Sequence, residues 1–418
     1  MDQNKSGQKI ILDMDKHSTK IRDSIAKLDL WLDHTGYAGF DPYDIKGLKP
    51  ILKLIHLGQK NRPFEILREL VFELFNHYPL FFRKIFRIQP QINAKAMGLI
   101  ANAYLDLARL DNNNRYFKKS AECISWLNNN YSSDYPGMSW GYPFDWQSKK
   151  LIPRNTPNGI VTTAVAEAYW NWYKYNDDET YLAKCIKICE FLSTLPHAEV
   201  GESGICFAYT PLFQNYVHNL NLFVAEFLLK MGYKTDRKSW IDLAMRAVYY
   251  TIENQNSNGS FDYNGPPESP SNFVDNYHTG FVLRMLLSIW QLSGDNKIFN
   301  ALNRGFQFYL DNFFEENRIP KLLPDRKYRI DIHSCAESIL CLSVLSNIFP
   351  QGVPIAQNVA DWTIDHFQDP SGYFYYAYFK SRFTGRKFQS NIPYMRWGQA
   401  WMLKALVSWL AVIENPDH

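Results

Sequence analysis

Three histidines stand where proton chemistry could be done. His218 in YVHNLNLFVAEFLL, His278 in NYHTGFVLRMLLSIW and His333 in DIHSCAESILCLSVL each open an apolar helical stretch, 60 and 55 residues apart. Imidazole is the side chain that changes charge near neutral pH, which suits it to give and take protons. At matching points of a closed helical repeat, three such groups converge on one axis, because equivalent helix ends of a toroid point inward together.

The neighbours of these histidines extend the pattern. Asp275 and Tyr277 precede His278, and Asp331 precedes His333 by two residues. A carboxylate so placed either fixes an imidazole tautomer and raises its basicity or caps the helix. His278 is therefore the candidate base or acid, with Tyr277, His333, His218 and Asp331 as its candidate partners. Asn219 offers an amide to a substrate carboxylate. Lys321, Asp325, Arg326 and Arg329, in the segment before His333, and Arg154 and Arg396, each just before an apolar helix, bring charge to the same opening. Guanidinium and ammonium groups in a ring suit an anionic ligand. The stretch WGYPFDWQ supplies Trp140, Tyr142 and Trp146 to stack on a sugar face, with Asp145 to bond its hydroxyls, and Trp397 next to Arg396 adds another indole. Packing or capping explains any one of these residues taken alone; their recurrence is what argues for a site.

The elements that must position them follow from periodicity. Six stretches read as apolar inner helices: 95–107, 159–173, 218–229, 278–292, 333–345 and 397–412. More amphipathic helices are expected between them, at 116–129, 180–195, 237–253, 297–314 and 354–367, and form an outer layer. The sixth outer helix must come from the N-terminal region, where 19–32 and 63–75 both have the length and period. Before two of the inner helices runs the pattern Gln, three residues, Gly, any residue, Phe, at Gln255–Phe261 and Gln368–Phe374, with looser versions at Met138–Phe144 and Gly204–Pro211. Glycine permits a tight turn there, and the aromatic residue plugs the ring beside it. The expectation is an all-α chain: an N-terminal helical extension over residues 1–90 that contributes to or covers the ring, then a toroid of six helical hairpins over 91–418, with short β-hairpin turns at one mouth.

Composition excludes several classes. A net charge of +3 with scattered Lys and Arg carries no footprint of nucleic-acid binding. No apolar run reaches the length of a membrane span or opens the chain as a signal sequence, so a cytoplasmic location is expected. YPLFFRKIFRI, at 78–88, is basic and apolar enough to dock on an anionic membrane as an interfacial helix, or else to pack on the ring as a lid. Six cysteines without a CxxC pair read as buried thiols. Phosphate loops, dinucleotide fingerprints, HExxH and nucleophile elbows are missing, and no cofactor or metal is expected.

Inner and outer helices alternating with Gly-aromatic turns resemble the (α/α)6 toroid superfamily, which includes glycoside hydrolases, polysaccharide lyases, sugar epimerases and the C-terminal domain of glucuronyl C5-epimerases. GFDPYD, NAKAMGL, WGYPFDWQS, VHNLNL, YHTGF, DIHS and MRWGQAW look like a bacterial family typically encoded among surface-polysaccharide synthesis genes. NYHTGF is also similar to a YHTTH-like stretch of glucuronyl C5-epimerases, although Gly280 and Phe281 follow Thr279 where a second histidine would stand. The resemblance implies a role in making or tailoring a glycan, and with the histidines it gives the leading expectation: an epimerase or lyase that removes a proton from a uronate-containing glycan, free or lipid-linked. An inverting glycoside hydrolase, using two of Asp145, Asp262, Asp331 and Glu337, is the enzymatic alternative. A non-catalytic glycan-binding component of an assembly complex is another. The chain also resembles terpene cyclases through its Gln-Gly-Phe turns, but it lacks DxDD and DDxxD runs.

Overall fold

The computed structural model describes residues 2–201, 204–268 and 273–415, with side chains from residue 16 onward. In chain order the helices are α1 (Asp2–Thr35), α2 (Lys49–Lys60), α3 (Arg62–His77), α4 (Pro79–Ile85), α5 (Ala94–Asp111), α6 (Asn114–Asn129), α7 (Gly159–Asn176), α8 (Glu179–Thr194), α9 (His218–Thr235), α10 (Lys238–Glu253), α11 (Asn276–Ser293), α12 (Asn296–Phe313), α13 (Ile332–Leu345), α14 (Val353–Phe367) and α15 (Ala400–Glu414). Among the described residues the strands are short: the hairpins β1–β2 (Trp146–Gln147, Leu151–Ile152), β3–β4 (His197–Val200, Gly204–Phe207) and β5–β6 (Phe314–Glu315, Ile319–Pro320), and the three-stranded sheet β7–β8–β9 (Ile330–Asp331, Ala377–Lys380, Lys387–Ser390), all antiparallel.

The ring closes. α5 packs on α7, α7 on α9, α9 on α11, α11 on α13, α13 on α15, and α15 returns to α5. Each inner helix is backed by an outer partner: α6, α8, α10, α12, α14 and, for α15, α1. The sixth outer helix is thus the 19–32 segment of α1, while 63–75 falls in α3 and lies outside the ring.

Local sequence explains the hairpins. Asn112, Asp177, Asp236 and Gly294 end α5, α7, α9 and α11 in the left-handed conformation, and Asn113, Asp178 and Asp295 cap α6, α8 and α12. The Gln-Gly-Phe turns join neighbouring hairpins. The Gln255 amide donates to the carbonyls of Gly259 and of Ala301 on α12, each at 2.9 Å; the Gln368 amide donates to Gly372 and to Ser24 on α1, again at 2.9 Å. Gly259 and Gly372 have φ of +88° and +111° and back onto carbonyls of Arg304 and Lys27, leaving no space for a Cβ. α1 is therefore held by the motif that holds α12.

The core lies between the two layers, and inner helices are buried on nearly every face. Where they meet along the axis they carry charge. Arg284 on α11 pairs with Glu337 on α13 at 2.7 and 3.1 Å, and Lys404 on α15 with Glu167 on α7 at 2.6 Å. Burial works against Glu167, but Lys404 overrides it and holds the carboxyl down to about 2.

α2, α3 and α4 form a small layer with its own core around Ile45, Ile51 and Phe75. It is clamped to the toroid by Arg83, which is buried. Arg83 bonds the Asp44 carboxylate at 2.6 Å, the Asp41 carbonyl at 2.9 Å and the Tyr394 hydroxyl at 3.0 Å. Of the basic residues in 78–88, Lys84 and Arg87 are solvated and Arg83 is not.

Candidate functional site

A cavity of about 260 Å³ opens at the N-terminal ends of the inner helices. Its wall shows the register of the repeat. The second residue of every inner helix lines it: Lys95 on α5, Ile160 on α7, Asn219 on α9, Tyr277 on α11, His333 on α13, and Arg396 in the π-helical turn Met395–Gln399 that leads into α15. Six helix N-termini aimed at one space favour negative charge in it.

His278, one position further along α11, reaches the same cavity and keeps its side chain 23% exposed. Its Nδ1 lies 2.6 Å from Asp275 Oδ2, while Asp275 Oδ1 accepts the His278 backbone N–H at 2.9 Å. One buried carboxylate thus caps α11 and orients the imidazole, which leaves Nε2 for a ligand. Capping and imidazole orientation, alternatives in the sequence, are one interaction here.

His333 is more deeply set. Its Nδ1 bonds the Trp397 carbonyl at 3.0 Å, so Nδ1 carries the proton and Nε2 is the acceptor. The ring stacks on Trp397 at 4.5 Å and meets the edge of Tyr277 at 4.8 Å. Burial, with Lys95 adding repulsion, holds its pKa well below the ordinary histidine value, so this imidazole is neutral. Asp331 accepts from the His333 backbone and from Trp397 Nε1 at 2.8 Å, behind the histidine and outside the cavity wall.

Lys95 enters from α5 between the rings of Phe281 and Trp401, at 5.5 and 5.1 Å. Burial, then repulsion from Arg396, lowers its pKa far below that of a free lysine. Arg396 is committed within the protein, since its Nε and one terminal nitrogen hold the buried Asp41 at 2.6 and 2.8 Å. Arg396 still lines the cavity, with the Nε and Nη2 side of its guanidinium spent on Asp41. Tyr277, Tyr263, Tyr142 and Tyr209 all line the cavity, with phenols that burial keeps protonated and able to donate. The Asn219 amide oxygen is buried and meets no hydrogen-bond donor among the described residues. Trp146 stands edge-on to Tyr209 at 5.4 Å in the opposite wall.

Other expected residues lie elsewhere. His218, first in α9, turns away from the axis, packs on Tyr250 at 5.3 Å and is held uncharged by burial, its pKa lowered to about 4. Trp140 is buried, with Nε1 on the Leu127 carbonyl, and is a plug rather than a sugar platform. Asp145 accepts from the Arg154 backbone and lines an adjoining cavity of about 310 Å³ with Arg154, Arg87 and Asp41. Lys321 bonds the Pro324 carbonyl, Arg326 pairs with Asp325 in solvent, and Arg329 faces Asp331 and Tyr376. Asp262 accepts from Asn256, and Glu337 is committed to Arg284. Among the described residues, none of those lining the 260 Å³ cavity is Asp or Glu. Among the described residues no His, Cys, Asp and Glu group could hold a metal ion.

Sequence reasoning missed Lys95, Tyr263, Tyr43 and Tyr209. Aligning the repeats on their N-caps, Asn93, Asn158, Asp275 and Asp331, rather than on the histidines would have found Lys95.

No family model matches the chain, and no curated protein matches it in sequence. Solved structures match in fold. A cellobiose 2-epimerase from Bacillus thermoamylovorans superposes with a TM-score of 0.60 at 11% identity, over 78% of this chain and 88% of that one. A GH76 alpha-mannanase from Bacteroides thetaiotaomicron gives 0.60 at 12%, again over 78% and 88%. An unsaturated glucuronyl hydrolase specific for heparin gives 0.56 at 12%, over 78% and 89%. With the closed double ring described above, these likenesses establish the architecture of the chain as an (α/α)6 toroid.

Proposed function

We propose that this chain is a carbohydrate-active enzyme, an epimerase or lyase that abstracts the proton next to the carboxylate of a uronate-containing glycan during bacterial polysaccharide biosynthesis. The observation that carries the reading is the presence of two imidazoles with committed Nδ1 atoms, His278 and His333, in a cavity whose described lining holds Lys95 and no carboxylate. The fold neighbours, described as an epimerase, a mannanase and a glucuronyl hydrolase, support a sugar as the ligand.

In this reading His278 Nε2, backed by Asp275, takes the carbon-bound proton, and the electron pair moves into the carboxylate. Lys95, the Asn219 amide and the convergent helix N-termini meet the charge that develops there. For epimerisation, the Tyr277 phenol returns a proton to the opposite face, with His333 Nε2 as an acceptor beside it; for elimination, a phenol protonates the departing oxygen instead. Trp146 and Tyr142 provide faces for the pyranose ring. An inverting hydrolase needs two carboxylates across the pocket, and no Asp or Glu stands among the described residues of this lining.

The test is NMR of uronate-containing oligosaccharides incubated with the protein in D2O, beside His278→Ala and His333→Ala. Deuterium at the carbon next to the carboxylate, or an unsaturated product, formed by the parent and lost in His278→Ala, supports the proposal. Glycan cleavage with inversion and no exchange would replace it with hydrolysis. Binding without any turnover would leave a glycan-binding component.

A further inference from the structure

The small layer of α2, α3 and α4 has two faces of opposite character. On α3, Glu69 pairs with Arg68 and with Arg382 of the β8–β9 hairpin, and Glu73 accepts the Arg382 backbone N–H. That side of the helix is turned to the toroid. At about 100° per residue, Leu70, Leu74 and Leu67 fall about 100–160° around the helix from Glu69, and with Tyr78 at its end they are 40–59% exposed. On α4 the buried Arg83 marks the inward side, while Leu80, Phe81 and Ile85 face outward at 55–59% exposure.

These apolar groups are not scattered. Ten of the twenty exposed large apolar side chains among the described residues fall between Phe64 and Phe86. A monomeric protein rarely leaves such a concentration in water without a use for it.

Charge selects the occupant. The helices from Lys49 to Ile88 carry eight Lys and Arg against three Glu, although the whole chain has a net charge of only +3. Glu69 is already taken by Arg68 and Arg382, and Glu73 by the Arg382 backbone. Arg68 and Arg83 are paired with Glu69 and Asp44, but the other six are exposed: Lys49, Lys53 and Lys60 form a stripe on α2 with His56, Arg62 opens α3, Lys84 stands between Phe81 and Ile85, and Arg87 follows α4. Exposed apolar residues interleaved with uncompensated Lys and Arg match the acyl boundary and headgroups of an anionic lipid surface. No helix among the described residues is long and apolar enough to cross a membrane, so the fitting mode is attachment in the interfacial plane.

We infer that the α2–α4 layer is a docking surface for an anionic phospholipid membrane, with the α3 and α4 apolar faces inserted and the lysines and arginines on the headgroups. The layer is joined to the site, because Arg83 on α4 holds Asp44 and Tyr394, next to Asp41, which holds Arg396 of the cavity wall. Where the proposed glycan chemistry holds, docking would bring a lipid-linked glycan to the mouth. The docking itself is read without any glycan, so the two proposals fail separately.

The test is co-sedimentation of the full chain with phosphatidylcholine vesicles, with and without phosphatidylglycerol, alongside sedimentation velocity of the protein alone. Binding only to the phosphatidylglycerol vesicles, weakened by salt, is expected. Arg62→Glu with Lys84→Glu should lower it about tenfold or more. Leu70→Ser with Phe81→Ser should remove it with an unchanged circular dichroism spectrum, since both side chains are exposed. A Phe81→Trp reporter should shift to the blue on binding. Equal binding to both vesicle types, or none, overturns the proposal. So does a dimer that Leu70→Ser dissociates, which would assign the face to a second copy of the chain.

Discussion

Asp275 serves His278 twice: one carboxylate oxygen lies 2.6 Å from the imidazole Nδ1, and the other accepts the backbone N–H of the same residue at 2.9 Å. The two roles can be separated. Asn caps a helix about as well as Asp but carries no charge to polarise the imidazole. Asp275→Asn is expected to keep its melting temperature and to lose about a hundredfold or more in proton-exchange rate, measured by deuterium incorporation beside thermal unfolding.

Lys95 illustrates function held against stability. Its ammonium form is disfavoured by burial and by Arg396, which lowers its pKa. Lys95→Met removes a costly buried amine at similar volume and is expected to leave stability equal or higher, while turnover falls about a hundredfold through loss of charge stabilisation. An anionic ligand in the cavity restores the favoured charged form, so binding should take up a proton. Calorimetry of a uronate ligand in buffers of different ionisation enthalpy would read this uptake, and Lys95→Met should abolish it.

The Asp41–Arg396 pair is buried on both sides, with one partner in the loop before α2 and the other in the turn before α15. Removing one member strands the other. Arg396→Met is expected to cost about 3–5 kcal/mol in denaturant unfolding, and Asp41→Asn in the same chain should return much of that loss. An Arg396→Met variant of parental stability would contradict this assignment.

His218 sets an acid limit. Its folded-state pKa of about 4 lies below the ordinary value of 6.5, because burial resists the charged ring. As pH falls the unfolded chain takes the proton first, so the contribution is complete above about pH 6.5 and is lost as pH drops toward 4. The size is about 3 kcal/mol across that window. His218→Phe should flatten the fall of the unfolding free energy between these pH values, and an unchanged slope would refute the account.

Much of the architecture was legible because it rests on local rules. The spacing of apolar stretches located all six inner helices, and the Gln-Gly-Phe turns repeat because each joins a turn to the next outer helix through the same amide and the same left-handed glycine. Of the two segments able to supply the sixth outer helix, 19–32 and 63–75, periodicity alone could not choose. The choice rests on Gln368 reaching Ser24 and on Gly372 backing onto Lys27, contacts between the two ends of the chain.

The site divides in the same way. That His278, His333, Tyr277, Asn219 and Trp146 stand near one mouth follows from the linear chain, since each is tied to the start of an inner helix or to a turn beside it. Which way each side chain points does not. One residue of helix rotates a side chain by about 100°, so His218, a single position before Asn219, faces α10 while Asn219 faces the axis. The closed ring was needed to bring Lys95 to the histidines and to give Arg396 to Asp41, 355 residues away in sequence. Such pairings arise when ring closure joins distant segments, and no local pattern in the chain encodes that distance.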